Sequence, residues 1–259
     1  MEMDKASLKT AGQYLRIISL GVLITACGSA PTPEVRKPVA VSKPTPLLTP
    51  EPIEIQKPVN VSFSTYSKDW PVDWQWIDPD ETKDPTPHDV KGGVLRVTIR
   101  TRKDLSGDSR NAPRYLKSIK GDFQIETRVR FAPKENYQGA GLLIFQDDNN
   151  YLRFERSYGG MGGGGEGIRL DVWEAGEHRA IVEPGGIPWE ASSVDLKIVR
   201  TGKLFIAYWR PDEEQEWREA GEFESQYSES ILAGVAAINT ARPVTAEFVY
   251  IKLLPGIQR

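Results

Sequence analysis

After about residue 61, apolar and polar residues alternate along most of the chain, with turn residues between the runs. Hardly any stretch repeats with the 3.6-residue period of a helix. A period of two belongs to strands that bury one face. The pattern predicts ten strands: Val94 to Thr101, Tyr115 to Ile119, Phe123 to Phe131, Leu142 to Phe145, Tyr151 to Arg156, Ile168 to Glu174, Val194 to Val199, Leu204 to Trp209, Leu232 to Ile238 and Ala246 to Leu253. The clearest stretch is GAGLLIFQDDNNYLRFERS, Gly139 to Ser157. Its polar block Gln146 to Asn150 is rich in Asp and Asn, which tolerate the backbone angles of tight turns, so two paired strands joined as a hairpin are expected. On the second of them, Leu152 and Phe154 point to a core while Tyr151, Arg153 and Glu155 point away. Many short strands with regularly spaced turns predict an all-β, antiparallel two-sheet sandwich, with residues 61–259 as one domain.

The polar rows of these strands carry the candidate chemistry. Glu126 and Arg128, Arg153 and Glu155, and Arg169 and Asp171 alternate with apolar residues, and Tyr151 and Trp173 share the outward phase. A surface of guanidiniums, carboxylates and a flat ring suits a sugar, with Trp173 stacking on a pyranose and the charged groups bonding hydroxyls. The same composition also suits a solvated sheet laced with cross-strand ion pairs, each worth little. Both readings stay open at this stage.

The N-terminus adds a different signal. Lys5, Lys9 and Arg16 precede a short apolar run from Ile17 to Ile24, followed by Thr25, Ala26 and Cys27. That run is short for a bilayer span and is flanked like an export signal. The tetrapeptide Ile24-Thr25-Ala26-Cys27 resembles the lipobox of bacterial lipoproteins, which implies removal of residues 1–26 and lipid (palmitate-type) attachment at Cys27. A cleaved soluble signal peptide or a single-pass anchor is the alternative. Residues 27–60 are proline-rich and predict an extended, disordered tether reaching on the order of 100 Å. The expected location is the periplasmic or cell-surface side of a bacterial membrane.

Here the sandwich can be compared with known families. GAGLLIFQDDNNYLRFERS, Trp74-Gln75-Trp76 with Asp78-Pro79-Asp80, GGVLRVTIR from Gly92, and AEFVYIKL from Ala246 resemble the concanavalin A-like lectin/glucanase superfamily. Within it they are most similar to the bacterial β-xylosidase C-terminal concanavalin A-like domain family. The resemblance implies a jelly roll whose concave face binds a glycan or polysaccharide.

Other chemistry is sparse. A net charge of −3 gives no electrostatic reason to expect nucleic acid. Two histidines, His88 and His178, and the single Cys27 supply neither a zinc motif nor a disulfide. Arg169-Leu170-Asp171-Val172-Trp173-Glu174 resembles the Glu-x-Asp-x-x-Glu strand of retaining glucanases but has Arg in the nucleophile position, leaving Glu155 beside Asp171 as a conceivable hydrolase pair. The glycine run 159–165 contains GxGxxG between two strands, which fits a hairpin tip better than a phosphate cradle. Asp78, Asp80 and Asp84 lie in a loop that offers Ca2+ oxygen ligands or is simply solvated. Trp70, Trp74 and Trp76 read as an edge cluster closing the sandwich. The resulting expectation is a non-catalytic, carbohydrate-binding envelope lipoprotein, with a module for an envelope protein partner as the second reading and a glycoside hydrolase as the third.

Overall fold

The computed structural model describes residues 59–61, 73–107, 109–160, 163–182 and 185–256. The chain divides into two units, Met1–Pro52 and Ile53–Arg259, and all the described residues belong to the second. Cys27, most of the proline-rich segment and Trp70 lie outside them.

Among the described residues there are sixteen strands and no helix. They are β1 (Val59–Val61), β2 (Trp74–Ile77), β3 (His88–Lys91), β4 (Val94–Ile99), β5 (Arg114–Lys120), β6 (Phe123–Arg130), β7 (Gln138–Asp147), β8 (Asn150–Tyr158), β9 (Glu166–Glu174), β10 (Glu177–Ala180), β11 (Ile187–Pro188), β12 (Ser193–Thr201), β13 (Leu204–Arg210), β14 (Arg218–Glu224), β15 (Ser230–Ile238) and β16 (Val244–Pro255). They form two eight-stranded antiparallel sheets. The first runs β14-β13-β12-β6-β16-β4-β3 with β1 on β16, and the second runs β10-β9-β8-β7-β15-β5-β2 with β11 on β9. This is the jelly-roll sandwich that the alternation and the family resemblance imply.

All ten expected strands are present; eight extend beyond their patterned cores, and β4 and β6 end two residues and one residue earlier. Between the sheets lies one apolar layer that includes Val129, Leu196 and Phe248 from the first sheet and Leu142, Phe154 and Leu170 from the second. Burying one such side chain stabilises the fold by about 1.5–3 kcal/mol. The hairpin β7–β8 closes with Asp147 opposite Asn150. The Asp147 carboxylate accepts from the Asn149 backbone N–H and the Asn150 side-chain amide, both at 2.8 Å, which satisfies the turn locally. At the sandwich edge, Trp74 stacks on Tyr115 of β5 with centroids 5.0 Å apart, and Trp76 of the second sheet stacks on His88 of the first at 4.0 Å. These two rings close that edge, as an edge cluster should.

One feature departs from the simple sandwich. Residues 101–107 and 109–113 lie over the outer face of the second sheet, where Leu105 and Ala112 join Leu116, Leu143, Phe145 and Ile238 in a second apolar cluster. Its anchors include paired backbone bonds between Lys103 and Asn239 at 2.9 and 2.7 Å, and the Tyr151 hydroxyl donating to the Leu105 carbonyl at 3.1 Å. The outward row of β8 and β9 is therefore buried on both sides, although strand alternation alone would leave it in water.

Candidate functional site

Strand pairing builds the candidate site from its floor. β8 and β9 align Tyr151 with Trp173, Arg153 with Asp171, Glu155 with Arg169 and Ser157 with Gly167. The four charged residues form a two-by-two checkerboard in which each carboxylate has a guanidinium as its cross-strand neighbour. They are only 5–9% exposed, so this is a buried polar layer rather than a solvated face.

Neighbouring elements tie down part of that layer. Arg153 Nη1 donates to Asp104 Oδ1 at 3.2 Å, and that oxygen also accepts from the Leu105 backbone N–H at 2.7 Å. His178 Nε2 lies 3.1 Å from Asp171 Oδ1. Arg169 Nη2 donates to the Gly163 carbonyl, and Gly160 and Gly164 also lie against this guanidinium. No hydrogen bond or ion pair to Glu155 is found among the described residues, and a β-carbon on Gly139 would lie 2.5 Å from its Oε1. The glycine leaves room for the carboxyl to lie against the sheet.

Burial shapes the charges here. Burial pushes the Glu155 carboxyl up to about 7; Arg153 opposes the rise, and Asp171 and Asp104 add to it. Burial by itself lowers the Arg153 guanidinium, but Glu155, Asp104 and Asp171 together reverse that and hold its pKa above the ordinary value. The layer is incompletely bonded: Arg153 Nε, Arg169 Nε and Ser157 Oγ are buried with no hydrogen-bond partner among the described residues. Such groups are costly to leave unmet.

Above this floor is a small cavity of about 20 Å³, bordered by Glu155, Ser157, Arg169 and Tyr137 and large enough for a single water. It adjoins an open groove of about 650 Å³ lined by Tyr137, Trp173, His178, Asp104, Glu177 and Thr240, among others. Tyr137, Ser106 and His178 border both. Tyr137 is 37% exposed, the one large exposed hydrophobic side chain among the described residues. Its φ is +61°, a left-handed conformation unusual for an aromatic residue. The neighbours lock it there: Gln138 Oε1 accepts from the Lys134 and Glu135 backbone N–H groups, while its Nε2 donates to Asn239 Oδ1. The Tyr137 N–H donates to the Tyr158 carbonyl at 3.1 Å. Strain held this firmly at the mouth of a groove points to a functional ring.

The sequence-expected residues distribute unevenly. Arg153, Glu155, Arg169, Asp171 and Trp173 share the floor, but Trp173 is 6% exposed and is no open platform. Tyr151 stacks on it at 4.5 Å, the Arg153 guanidinium lies over it at 4.6 Å and His178 tilts against it at 4.7 Å. Segment 101–113, invisible to strand alternation, is what seals the surrounding face. Glu126 and Arg128 belong to β6 of the other sheet and do not join the group. There Arg128 forks onto the buried Asp195 at 2.6 and 3.1 Å, Arg210 meets the same carboxylate at 3.0 Å, and Glu126 accepts from Gln124 at 2.6 Å. That face is a cross-strand charge ladder.

Asp78 and Asp80 do converge, but on a protein cation. The buried Lys103 ammonium lies 3.4 Å from Asp78 Oδ1, 3.0 Å from Asp80 Oδ2 and 3.0 Å from the Asp84 carbonyl, while the Asp84 carboxylate pairs with Arg100. Lys103 thus supplies the positive charge among these oxygens. Among the described residues no group of three or more His, Cys, Asp or Glu gathers as a metal site. The residues missed from sequence were Tyr137, Asp104, Ser106 and His178. The only signal for Tyr137 was a lone aromatic in a polar loop.

No curated protein matches the chain. Among solved structures, a functionally unknown protein from Saccharomyces cerevisiae matches with TM-score 0.58 and 15% identity, covering 72% of this chain and 98% of its own. The GH43 protein BlXynB from Bacillus licheniformis matches with TM-score 0.59 and 20% identity over 75% of this chain, and a xylan β-1,4-xylosidase from Bacillus halodurans C-125 with 0.60 and 18% over 81%. The matched region spans only 39% and 41% of those two proteins, so the likeness concerns the fold of one part of each. The family model described as the β-xylosidase C-terminal concanavalin A-like domain matches residues 61–235. With most of the chain inside that match, the protein belongs to the β-xylosidase C-terminal concanavalin A-like domain family.

Proposed function

We propose that this chain is an exported lipoprotein, lipidated at Cys27, whose sandwich domain binds a glycan without cleaving it. The observation that carries the reading is the groove of about 650 Å³ set above a floor of buried, incompletely bonded polar groups. Concave sites with a few convergent polar groups and a shifted carboxyl are where ligands bind. In this reading Tyr137 stacks on a sugar ring, His178, Ser106 and Asp104 meet hydroxyls, and one hydroxyl or a bridging water reaches the small cavity beside Glu155 and Arg169. Arg153, Asp171 and Trp173 position this surface from below. Glu126 and Arg128, on the other sheet, take no part.

Binding is favoured over hydrolysis because the cavity beside Glu155 is far smaller than a pyranose, so a glycosidic oxygen has no path to that carboxyl. The names of the similar bacterial structures make β-1,4-xylan the first chain to test. Titration calorimetry with xylohexaose, cellohexaose and a glycan array is expected to give binding that Tyr137→Ala weakens at least tenfold. Absence of any glycan signal, together with a co-purifying envelope protein, would replace this reading with a protein-interaction role. Labelling by a palmitate analogue that disappears in Cys27→Ser tests the anchor, and persistence of the label in that variant refutes it.

A further inference from the structure

We propose that the groove sorts glycans by charge, accepting uncharged chains and turning away uronates; this inference rests on the glycan-binding reading above. Among the described residues, the open groove takes its charged lining from Asp104, Glu177 and His178, with no lysine or arginine. The two guanidiniums of the floor are buried and do not line the open groove. Arg153 pairs with Asp104 at 3.2 Å and lies across from Asp171, while Arg169 is bonded to the Gly163 carbonyl and lies across from Glu155. Three carboxylates therefore surround two guanidiniums, and Glu177 adds a fourth at the exposed rim.

A carboxylate arriving in the groove meets no lysine or arginine among the described lining residues and several negative neighbours, an arrangement that discourages like charge by direct repulsion. A neutral hydroxyl suits the same surface in both of its roles. Its oxygen accepts from the unmet Arg153 Nε, Arg169 Nε or Ser157 Oγ, directly or through one water, and its proton goes to Glu155, Asp171 or Asp104. Adding a full negative charge to the ligand forfeits the second role and gains no ion pair in return.

The test is a calorimetric titration of the full chain at pH 8 with xylohexaose, cellohexaose and a cellohexaose whose C6 hydroxymethyl groups have been oxidised to carboxylates. The oxidised chain is expected to bind at least about tenfold more weakly than cellohexaose in 20 mM salt, with the gap narrowing in 0.5 M salt as screening takes hold. Glu177→Lys is expected to narrow the gap by about threefold or more, because it reverses the one exposed charge at the rim. Equal or tighter binding of the oxidised chain overturns the sorting while leaving glycan binding intact. A gap that neither salt nor Glu177→Lys alters also overturns it, since the discrimination would then be steric. Failure of all three chains to bind removes the glycan reading and this inference together.

Discussion

Glu155 offers the sharpest physical test of the buried layer. Its carboxyl is 5% exposed and is held at about 7 by burial, against an ordinary value of 4.5. A folded-state value raised above the unfolded one means that the native protein keeps a proton which the unfolded chain releases. The stabilisation is fully present below pH 4.5 and is lost as pH rises from there to about 7, after which both states are ionised and the loss is constant. The gap between the two values corresponds to about 3 kcal/mol, a large share of a domain's stability. Glu155→Gln keeps the shape and the hydrogen-bonding capacity but cannot ionise, and Arg153 retains Asp104 and Asp171. Urea unfolding of the variant and the parent at pH 5, 6, 7 and 8 isolates this group, because the other titrations cancel in the difference. The variant should be nearly as stable as the parent at pH 5 and about 2–3 kcal/mol more stable at pH 8. A difference that stays flat from pH 5 to pH 8 would refute the account of a carboxyl starved of both solvent and hydrogen bonds.

Four further outcomes follow from single side chains. Lys103→Ala should destabilise by about 3–5 kcal/mol in thermal or urea unfolding, because Asp78 is left buried without its cation. Gly141→Ala should cost about 1–3 kcal/mol or more, since its added carbon would lie 2.2 Å from the Phe154 carbonyl oxygen and 2.6 Å from the Glu155 Cα. Tyr137→Gly should leave the unfolding midpoint unchanged or slightly raised by relieving the positive φ, yet weaken glycan binding as much as Tyr137→Ala does. Trp173→Ala should lose about 3–5 kcal/mol in the same unfolding assays because its ring is packed under Arg153 and Tyr151, so its effect on binding has to be compared at matched stability.

Ten of the sixteen strands were legible because each of these buries one apolar face against the other sheet, and that demand writes itself into every second residue. Short edge strands such as β3, β10 and β14 escaped notice because they carry few buried side chains, and their pairing depends on a neighbour rather than on their own pattern. The site was half legible. Alternation placed Arg153, Glu155, Arg169 and Asp171 in one phase of adjacent strands, and the register joined them. It placed Glu126 and Arg128 in the same outward phase, yet phase alone does not say which of two sheets a strand enters.

By itself the sequence determined the class of fold, the hairpin at Asp147 to Asn150, the outward phase of the charged row and the family. The tertiary structure decided that Leu105 and Ala112 pack into one cluster with Tyr151 and Trp173, and that the charged row is buried, which raises Glu155. It also brought Lys103 in among Asp78 and Asp80, and set Tyr137 at the mouth of a groove in a left-handed backbone. The physical reason is range: side-chain period is a local property repeated every two residues, whereas coverage, desolvation and charge compensation depend on contacts between residues such as Asp104 and Arg153, which are remote in the chain and meet only after the sheets have formed.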